Sequence, residues 1–284
     1  MIAMHTAPIR DGHLSYLDVG GGTPLVFLHG GALDHRMWSR QVDAFSKAHR
    51  VIAPDLRGHG MSSTPTGPFR HCDDVVDLMA HLGTGPAVVI GLSMGASTAV
   101  DVAIEYPDMV AAVVVSGAGT SEPDWRDPWM LDLFATWQRN AQEKDADAWI
   151  DTFLRIGNGP HRTLDDLDPR VRDELREQAL HTITTHVSSG APVLPGNVSN
   201  ATQRTRNIAV PLLAVSGALD SDDHVRMARE LAATVRDGST VVIAGTAHYP
   251  NMERPDEFNS AVLDFLRQHI AGTKRDLAEF RSGD

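Results

Sequence analysis

The chain has 284 residues, 42% of them hydrophobic and 22% charged, which is ordinary for one large globular domain with a smaller insertion. Its formal net charge of -12 disfavours nucleic acid and anionic membranes as partners, because no basic face offsets it. The first residues lack a signal-peptide pattern and no apolar run reaches the length of a membrane span, so we expect a soluble cytoplasmic protein.

A single cysteine, Cys72, excludes an internal disulfide and fits a reducing compartment. Its neighbours Arg70, His71 and Asp73 could make the thiol reactive. The preferred interpretation places Cys72 on the solvent side of a helix start.

The chain opens with a predicted antiparallel strand or hairpin and continues with strands that alternate with helices. Polar and apolar residues alternate over 9–17, with Asp11-Gly12 as the expected turn. Apolar, β-branched runs predict buried strands at 24–28, 50–54, 87–90, 111–115, 210–215 and 240–244. Helical spacing predicts helices at 38–48, 73–82, 223–235 and 255–270, with another after Ser93. This alternation predicts a mostly parallel sheet covered on both faces.

Between residues 120 and 206 the alternation stops, and this stretch is predicted to be a helical insertion. It contains no convincing strand and four of the five tryptophans. We expect it over the carboxyl edge of the sheet, where ligands of open α/β sheets bind. Trp125, Trp129, Leu133 and Trp137 recur at four-residue spacing, which predicts one stripe of a helix. The stripe either packs the insertion onto the core or places one or two rings in a substrate pocket.

The segment Gly91-Leu92-Ser93-Met94-Gly95 lies between a predicted buried strand and a run of small residues typical of a closely packed helix. A sharp turn between strand and helix strains its middle residue and requires flanking positions without bulk, which Gly91 and Gly95 provide. Such a turn raises the Ser93 hydroxyl at the rim of the sheet. Ser93 is therefore the candidate nucleophile.

A serine nucleophile needs a base and a carboxylate that orients the base. Of the 14 histidines, His248 follows the last predicted strand and opens on the same rim as Ser93. Asp220 follows the strand before it, so the order is Ser…Asp…His, as this architecture predicts. Asp222 and Asp223 are alternatives for the acidic role, unless they cap the helix that begins there.

The oxyanion of acyl transfer needs two hydrogen-bond donors. We expect one from the Met94 N–H and the other from Gly31, in the glycine-containing loop after strand 24–28. His29 and His59 are interpreted as residues that brace their loops. His161, His181 and His186 lack the spacing of metal ligands on one helix face, and no metal site is predicted.

The chain resembles the α/β-hydrolase family over essentially its whole length. The resemblance rests on five motifs, which are His29-Gly30-Gly31, the run from Asp55 to Gly60, the Ser93 turn, Gly217 with Asp220, and His248. The resemblance implies an α/β fold: an eight-stranded sheet with a helical cap, a Ser93–His248–Asp220 triad, and an oxyanion hole from the Gly31 and Met94 amides. It divides the chain into a core of residues 1–119 and 207–284 and a cap of residues 120–206. The elbow and the residues after His248 are most similar to the enol-lactonase and small carboxylesterase branches.

The expected function is that of a serine hydrolase that cleaves a small, moderately apolar carboxylic ester or lactone through an acyl-enzyme. Hydrolysis of a C–C bond and cofactor-free perhydrolysis use the same residues and stay open as alternatives. A ligand receptor on a hydrolase scaffold is a third hypothesis, disfavoured by the apparently complete triad. We expect a small-molecule substrate, no cofactor, and a monomer or homodimer. Trp125, Trp129 and Trp137 are the candidate pocket residues.

Overall fold

The protein is built on one eight-stranded sheet, in a computed structural model that describes residues 3–117, 119–187 and 193–270. The strands are β1 (Met4–Ile9), β2 (Gly12–Val19), β3 (Pro24–Leu28), β4 (Arg50–Pro54), β5 (Ala87–Leu92), β6 (Val110–Ser116), β7 (Leu212–Gly217) and β8 (Gly238–Ile243). Their order across the sheet is β1-β2-β4-β3-β5-β6-β7-β8. The pairs β1–β2 and β2–β4 are antiparallel and the others are parallel, which confirms the predicted sheet.

Helices connect the strands and fill the insertion. In the described residues they are α1 (Ser39–Phe45), α2 (His71–His81), α3 (Met94–Glu105), α4 (Pro128–Glu143), α5 (Ala146–Asn158), α6 (Pro169–Thr182), α7 (Ala201–Arg204), α8 (Asp222–Thr234), α9 (Pro250–Glu253) and α10 (Pro255–His269). Short 3₁₀ helices span His35–Trp38, Pro107–Met109, Leu164–Asp166 and Thr205–Asn207, and a π-helical turn spans Ile183–Val187.

Both faces of the sheet are buried because successive strand residues point to opposite sides. In β5, Val88 and Ile90 belong to one apolar cluster, which also holds residues of α1 and α10. Val89 belongs to the other cluster, together with residues of α2, α3 and α8. The continuous apolar runs of the sequence are therefore explained by helices on both sides.

Most predicted boundaries agree with the structure, and the differences lie at α1 and α9. The hairpin pairs Ile9 with Gly12, and Asp11 takes a positive φ of 58° at its turn. The helix predicted over 38–48 is instead a 3₁₀ turn followed by α1, which ends at Phe45. The short helix α9 was not predicted.

The described part of residues 120–206 contains helices and no strand. Side chains of α4, α5 and α6, among them Leu133, Phe153 and Leu175, are buried in the apolar cluster that also covers β3 and β5. The insertion thus shares its core with one face of the sheet. The division into a core and a cap at residues 119 and 207 stays a prediction.

Cys72 lies in the first turn of α2, but its expected position on the solvent side is wrong. The side chain is buried, and burial raises the pKa of its thiol to about 12. Val75, Leu78 and Met79 on the same helix belong to the same apolar cluster, so this face of α2 packs inward from its first turn.

Among the described residues, no helix is long and apolar enough to cross a membrane.

Candidate active site

Ser93 occupies the sharp turn between β5 and α3, with φ 54° and ψ -114°. Positive φ is costly for a residue with a side chain, so the surrounding packing must impose it. A Cβ added to Gly91 would lie 2.0 Å from the Gly95 carbonyl oxygen, and one added to Gly95 would lie 2.0 Å from the Leu28 carbonyl oxygen. Only glycine fits at either position, which is the steric requirement inferred from the sequence.

Asp220 and His248 lie in contact beyond the ends of β7 and β8. His248 Nδ1 donates to Asp220 Oδ2 at 2.9 Å, and both side chains are buried. Burial alone would raise the pKa of Asp220, but the two histidines beside it hold that pKa well below its usual range. Burial lowers the pKa of His248, and the attraction of Asp220 offsets only part of this shift. The pair is therefore an ionised carboxylate that orients a neutral imidazole.

The imidazole of His248 lies against the backbone that neighbours Ser93. The Ser93 N–H donates to the Ser116 carbonyl oxygen at 2.7 Å, and Gly117 follows directly. A Cβ on Gly117 would come within 2.7 Å of His248 Cε1 and 3.5 Å of its Nε2. Among the described residues, the Ser93 hydroxyl makes no hydrogen bond to an imidazole.

A second imidazole, His224 in the first turn of α8, was missed by the sequence reasoning. Its Nδ1 lies 2.9 Å from Asp220 Oδ1, on the oxygen that His248 does not use. The two rings are 4.2 Å apart between centroids. The spacing of four residues from Asp220 to His224, across a predicted helix start, was the signal available in the sequence.

The two alternative carboxylates do not contact His248. Asp222 is exposed, whereas the buried Asp223 accepts hydrogen bonds from the Arg126 and Asp127 N–H groups at 2.7 Å each. Neither caps α8, because that position belongs to Ser221. Asp223 instead ties the start of the insertion to α8.

The loop after β3 lies beside the Ser93 turn. A Cβ on Gly31 would be 3.9 Å from Met94 Cβ, so the two predicted oxyanion donors belong to adjacent segments. His29 braces this loop, since its Nε2 accepts from the Leu56 N–H and its Nδ1 donates to the Gly30 carbonyl oxygen, both at 2.8 Å. His59 lies half-buried beside it, with ring centroids 5.0 Å apart.

A cavity of about 270 Å³ opens above Ser93. Its walls are formed by His71, Ser93, Met94, Ser97, Thr98, Asp101, Thr120, Ser121, Pro123, Trp125, Pro195, Gly196, Asn197, His224 and Met227. Trp125 packs edge-on against His224 at 5.2 Å between centroids.

Trp129 and Trp137 are not in the wall of this cavity, and both pack against the apolar core. Trp137 lies 4.6 Å from Trp149 between ring centroids. The predicted stripe is interrupted because Asp127 caps α4 and Pro128 begins it, leaving Trp125 outside the helix. Of the three candidate pocket tryptophans, the structure thus places Trp125 alone beside Ser93.

A larger cavity of about 540 Å³ lies between α6 and the segments around His35 and Gly60. Its acidic groups are already paired: Asp55 with His35 at 2.7 Å, and Asp34 with Arg36 at 2.8 Å. Among the described residues, His248 lines neither cavity. The larger cavity also lacks Ser93, so it does not compete as a site for acyl transfer.

Two groups in the described residues bring metal-binding side chains together: Asp220, His224 and His248, and Asp34, His35 and Asp55. In each group the carboxylates are engaged by hydrogen bonds from imidazole or backbone donors. Hydrogen bonds within the protein therefore explain why the side chains of both groups lie close together.

The profile of the alpha/beta hydrolase fold family matches residues 23–255, and the chain belongs to this family. It is 27% identical over 272 residues to 3-oxoadipate enol-lactonase 2 of Acinetobacter baylyi, covering 93% of this chain and 96% of that one. The solved enol-lactonase from Burkholderia xenovorans LB400 matches 93% of this chain and 100% of that one, with 25% identity and a TM-score of 0.75.

A thermophilic esterase from Thermogutta terrifontis covers 94% of this chain and 99% of that one, with 26% identity and a TM-score of 0.74. The fold, the site and these relatives identify the chain as a hydrolase that resembles enol-lactonases and esterases.

Proposed function

We propose that the protein is a serine hydrolase that cleaves a carboxylic ester or lactone through an acyl-enzyme. The observation that carries this proposal is the buried Asp220–His248 pair beside a serine held at positive φ at the start of α3. In the proposal Ser93 is the nucleophile, His248 the base and Asp220 the group that orients the base. The Met94 and Gly31 N–H groups bind the oxyanion.

In the first half-reaction, the Ser93 hydroxyl transfers its proton to His248 Nε2 as its oxygen bonds to the substrate carbonyl carbon. The carbonyl oxygen becomes an oxyanion that accepts hydrogen bonds from the two amides. Collapse of this intermediate breaks the ester C–O bond, and His248 returns the proton to the leaving alkoxide. The serine–imidazole hydrogen bond forms in the complex with substrate, where such bonds often tighten.

In the second half-reaction, His248 takes a proton from water as the water oxygen attacks the acyl-enzyme. Collapse restores the Ser93 hydroxyl, with the proton supplied by His248, and releases the acid. With a lactone, alcohol and acid leave as one molecule. The relatives are named as an enol-lactonase and an esterase, which supports lactones and esters as the substrates. A cavity of about 270 Å³ suits a small substrate.

A fluorophosphonate probe tests the nucleophile directly. We expect labelling of the wild-type protein at Ser93 and none in Ser93→Ala, because the probe needs an activated serine. Ser97→Ala is the matched control, since Ser97 lines the same cavity one turn further along α3 and should leave the label on Ser93. Labelling that persists in Ser93→Ala, located by peptide mass spectrometry, contradicts the assignment.

The pH dependence of kcat/KM tests the base. Only the neutral imidazole accepts the serine proton, and burial lowers the pKa of His248 below its ordinary 6.5. Activity should therefore persist as the pH falls to 6.5 and should be lost at lower pH, with its midpoint below that value. Initial rates with a neutral ester in constant-ionic-strength buffers measure this, and a midpoint above 6.5 contradicts the predicted direction.

A further inference from the structure

The cavity beside Ser93 has a polar end formed by residues that the proposed reaction does not use. Asp101 lies on α3 seven residues after Met94, about 10 Å along the helix axis at the usual rise per residue. Asp101, His71 and Ser121 all line the cavity. A substrate held at Ser93 can therefore extend along α3 towards these side chains.

Asp101 offers an unpaired acceptor at this end. The Ser121 hydroxyl donates to its Oδ1 at 2.9 Å, whereas Oδ2 has no hydrogen-bond partner among the described residues. Nearby Arg70 attracts Asp101 but makes no hydrogen bond to it, because its guanidinium pairs with Asp73 and Glu105 at 2.7 Å each. Within the described residues, no arginine or lysine lines the cavity.

His71 offers a second unpaired polar group. Its side chain is more than nine-tenths buried, and neither ring nitrogen has a hydrogen-bond partner in the described part of the chain. Because Nδ1 has no accessible surface, the ring nitrogen available to a ligand in the cavity is Nε2. Burial lowers the pKa of His71 to about 3, so the ring is neutral and carries one N–H. A buried polar group without a partner is costly, and a ligand that supplies the partner recovers that cost.

Building on the proposed ester or lactone hydrolysis, we propose that this end of the cavity binds an uncharged amide group of the substrate and rejects a carboxylate. An amide has an N–H for Asp101 Oδ2 and a carbonyl oxygen for the His71 ring. A carboxylate has no donor for Asp101 and is repelled by its charge, with no cation in the wall to compensate. The preferred substrates are therefore esters or lactones that carry an amide.

Two matched pairs of esters test the proposal without assuming which side of the substrate reaches Asp101. The acyl-side pair is the mono-p-nitrophenyl ester of adipic acid and the same ester with its free carboxylate replaced by a primary amide. The alcohol-side pair is the acetate ester of 4-hydroxybutyrate and that of 4-hydroxybutyramide. Burial raises the pKa of Asp101 to about 7, so rates are measured near pH 8, where this carboxyl is largely ionised.

For at least one pair, we expect wild-type kcat/KM to favour the amide by about tenfold or more, the size of one partly screened charge–charge interaction. Asp101→Asn should reduce that preference to about threefold or less. Asp108→Asn, which removes a charge from an exposed position outside the cavity, should keep it. His71→Phe should lower kcat/KM for the amide relative to an ester ending in a methyl group.

If the wild type favours the carboxylate in both pairs or discriminates in neither, the proposal is wrong, and this result does not require any variant to fold. A preference that survives in a folded Asp101→Asn also overturns it. Ser93→Ala separates this outcome from failure of the proposed function. Turnover that continues in Ser93→Ala refutes the serine mechanism, whereas Ser93-dependent turnover without amide preference refutes the amide site alone.

Discussion

Replacing His248 by alanine is expected to lower kcat by about four to six orders of magnitude while the protein remains folded. Nucleophile and base act as a unit, so the loss should match that of Ser93→Ala. The side chain is buried against Gly117, and a smaller residue there creates no collision. Steady-state kinetics measure the loss, with circular dichroism and thermal melting to verify the fold.

His224 is the matched control, because it contacts the same carboxylate and its ring packs against that of His248 at 4.2 Å between centroids. His224→Phe keeps a ring and removes one hydrogen bond to Asp220. It should lower kcat by about ten- to a hundredfold, as expected for loss of a hydrogen bond to a charged group. If His224→Phe loses as much activity as Ser93→Ala and His248→Ala loses little, His224 is the base and the proposed triad is wrong.

Replacing Asp220 by asparagine should lower kcat by about 10⁴-fold. The carboxylate accepts from both imidazoles, and an amide in its place presents an N–H₂ group that favours the opposite tautomer of His248. The base nitrogen of the wild-type enzyme would then carry a proton. Single-turnover acylation rates measure this loss separately from product release.

Asp222→Asn makes the same chemical change two residues away on an exposed side chain. It should leave kcat within about twofold of wild type, the range usual for surface changes. Equal losses in the two variants would show that charge near α8, and not the contact with His248, determines the rate.

Local sequence was sufficient for the fold and for the Ser93 turn. A buried strand is recognisable from its continuous apolar run, and the two glycines around Ser93 are required by contacts within the turn and with β3. Asp220 and His248 could be proposed because the carboxyl ends of parallel strands share one edge of the sheet. That rule depends on chain order and not on detailed packing.

The polar lining of the cavity could not be predicted in the same way. His71, Asp101 and His224 lie on three different helices, and their convergence depends on how α2, α3 and α8 pack around β5 and β7. Cys72 was misplaced for the same reason, since sequence alone did not show which side of α2 faces the sheet. Asp127-Pro128 is a typical helix start, and it indicates that the helix begins at Pro128. The four-residue spacing of the tryptophans instead led to a predicted stripe that included Trp125.

The contact between Asp223 and the backbone of Arg126 and Asp127 has a consequence for engineering. Arg226 also donates to the Asp124 carbonyl oxygen, so two side chains of α8 hold the first residues of the 120–206 segment. The same helix carries His224 against Asp220. Because the partners in the segment are backbone groups, a chimera that grafts this segment from a relative should keep residues 223 and 226 and the chain path at 124–127, or these contacts are lost.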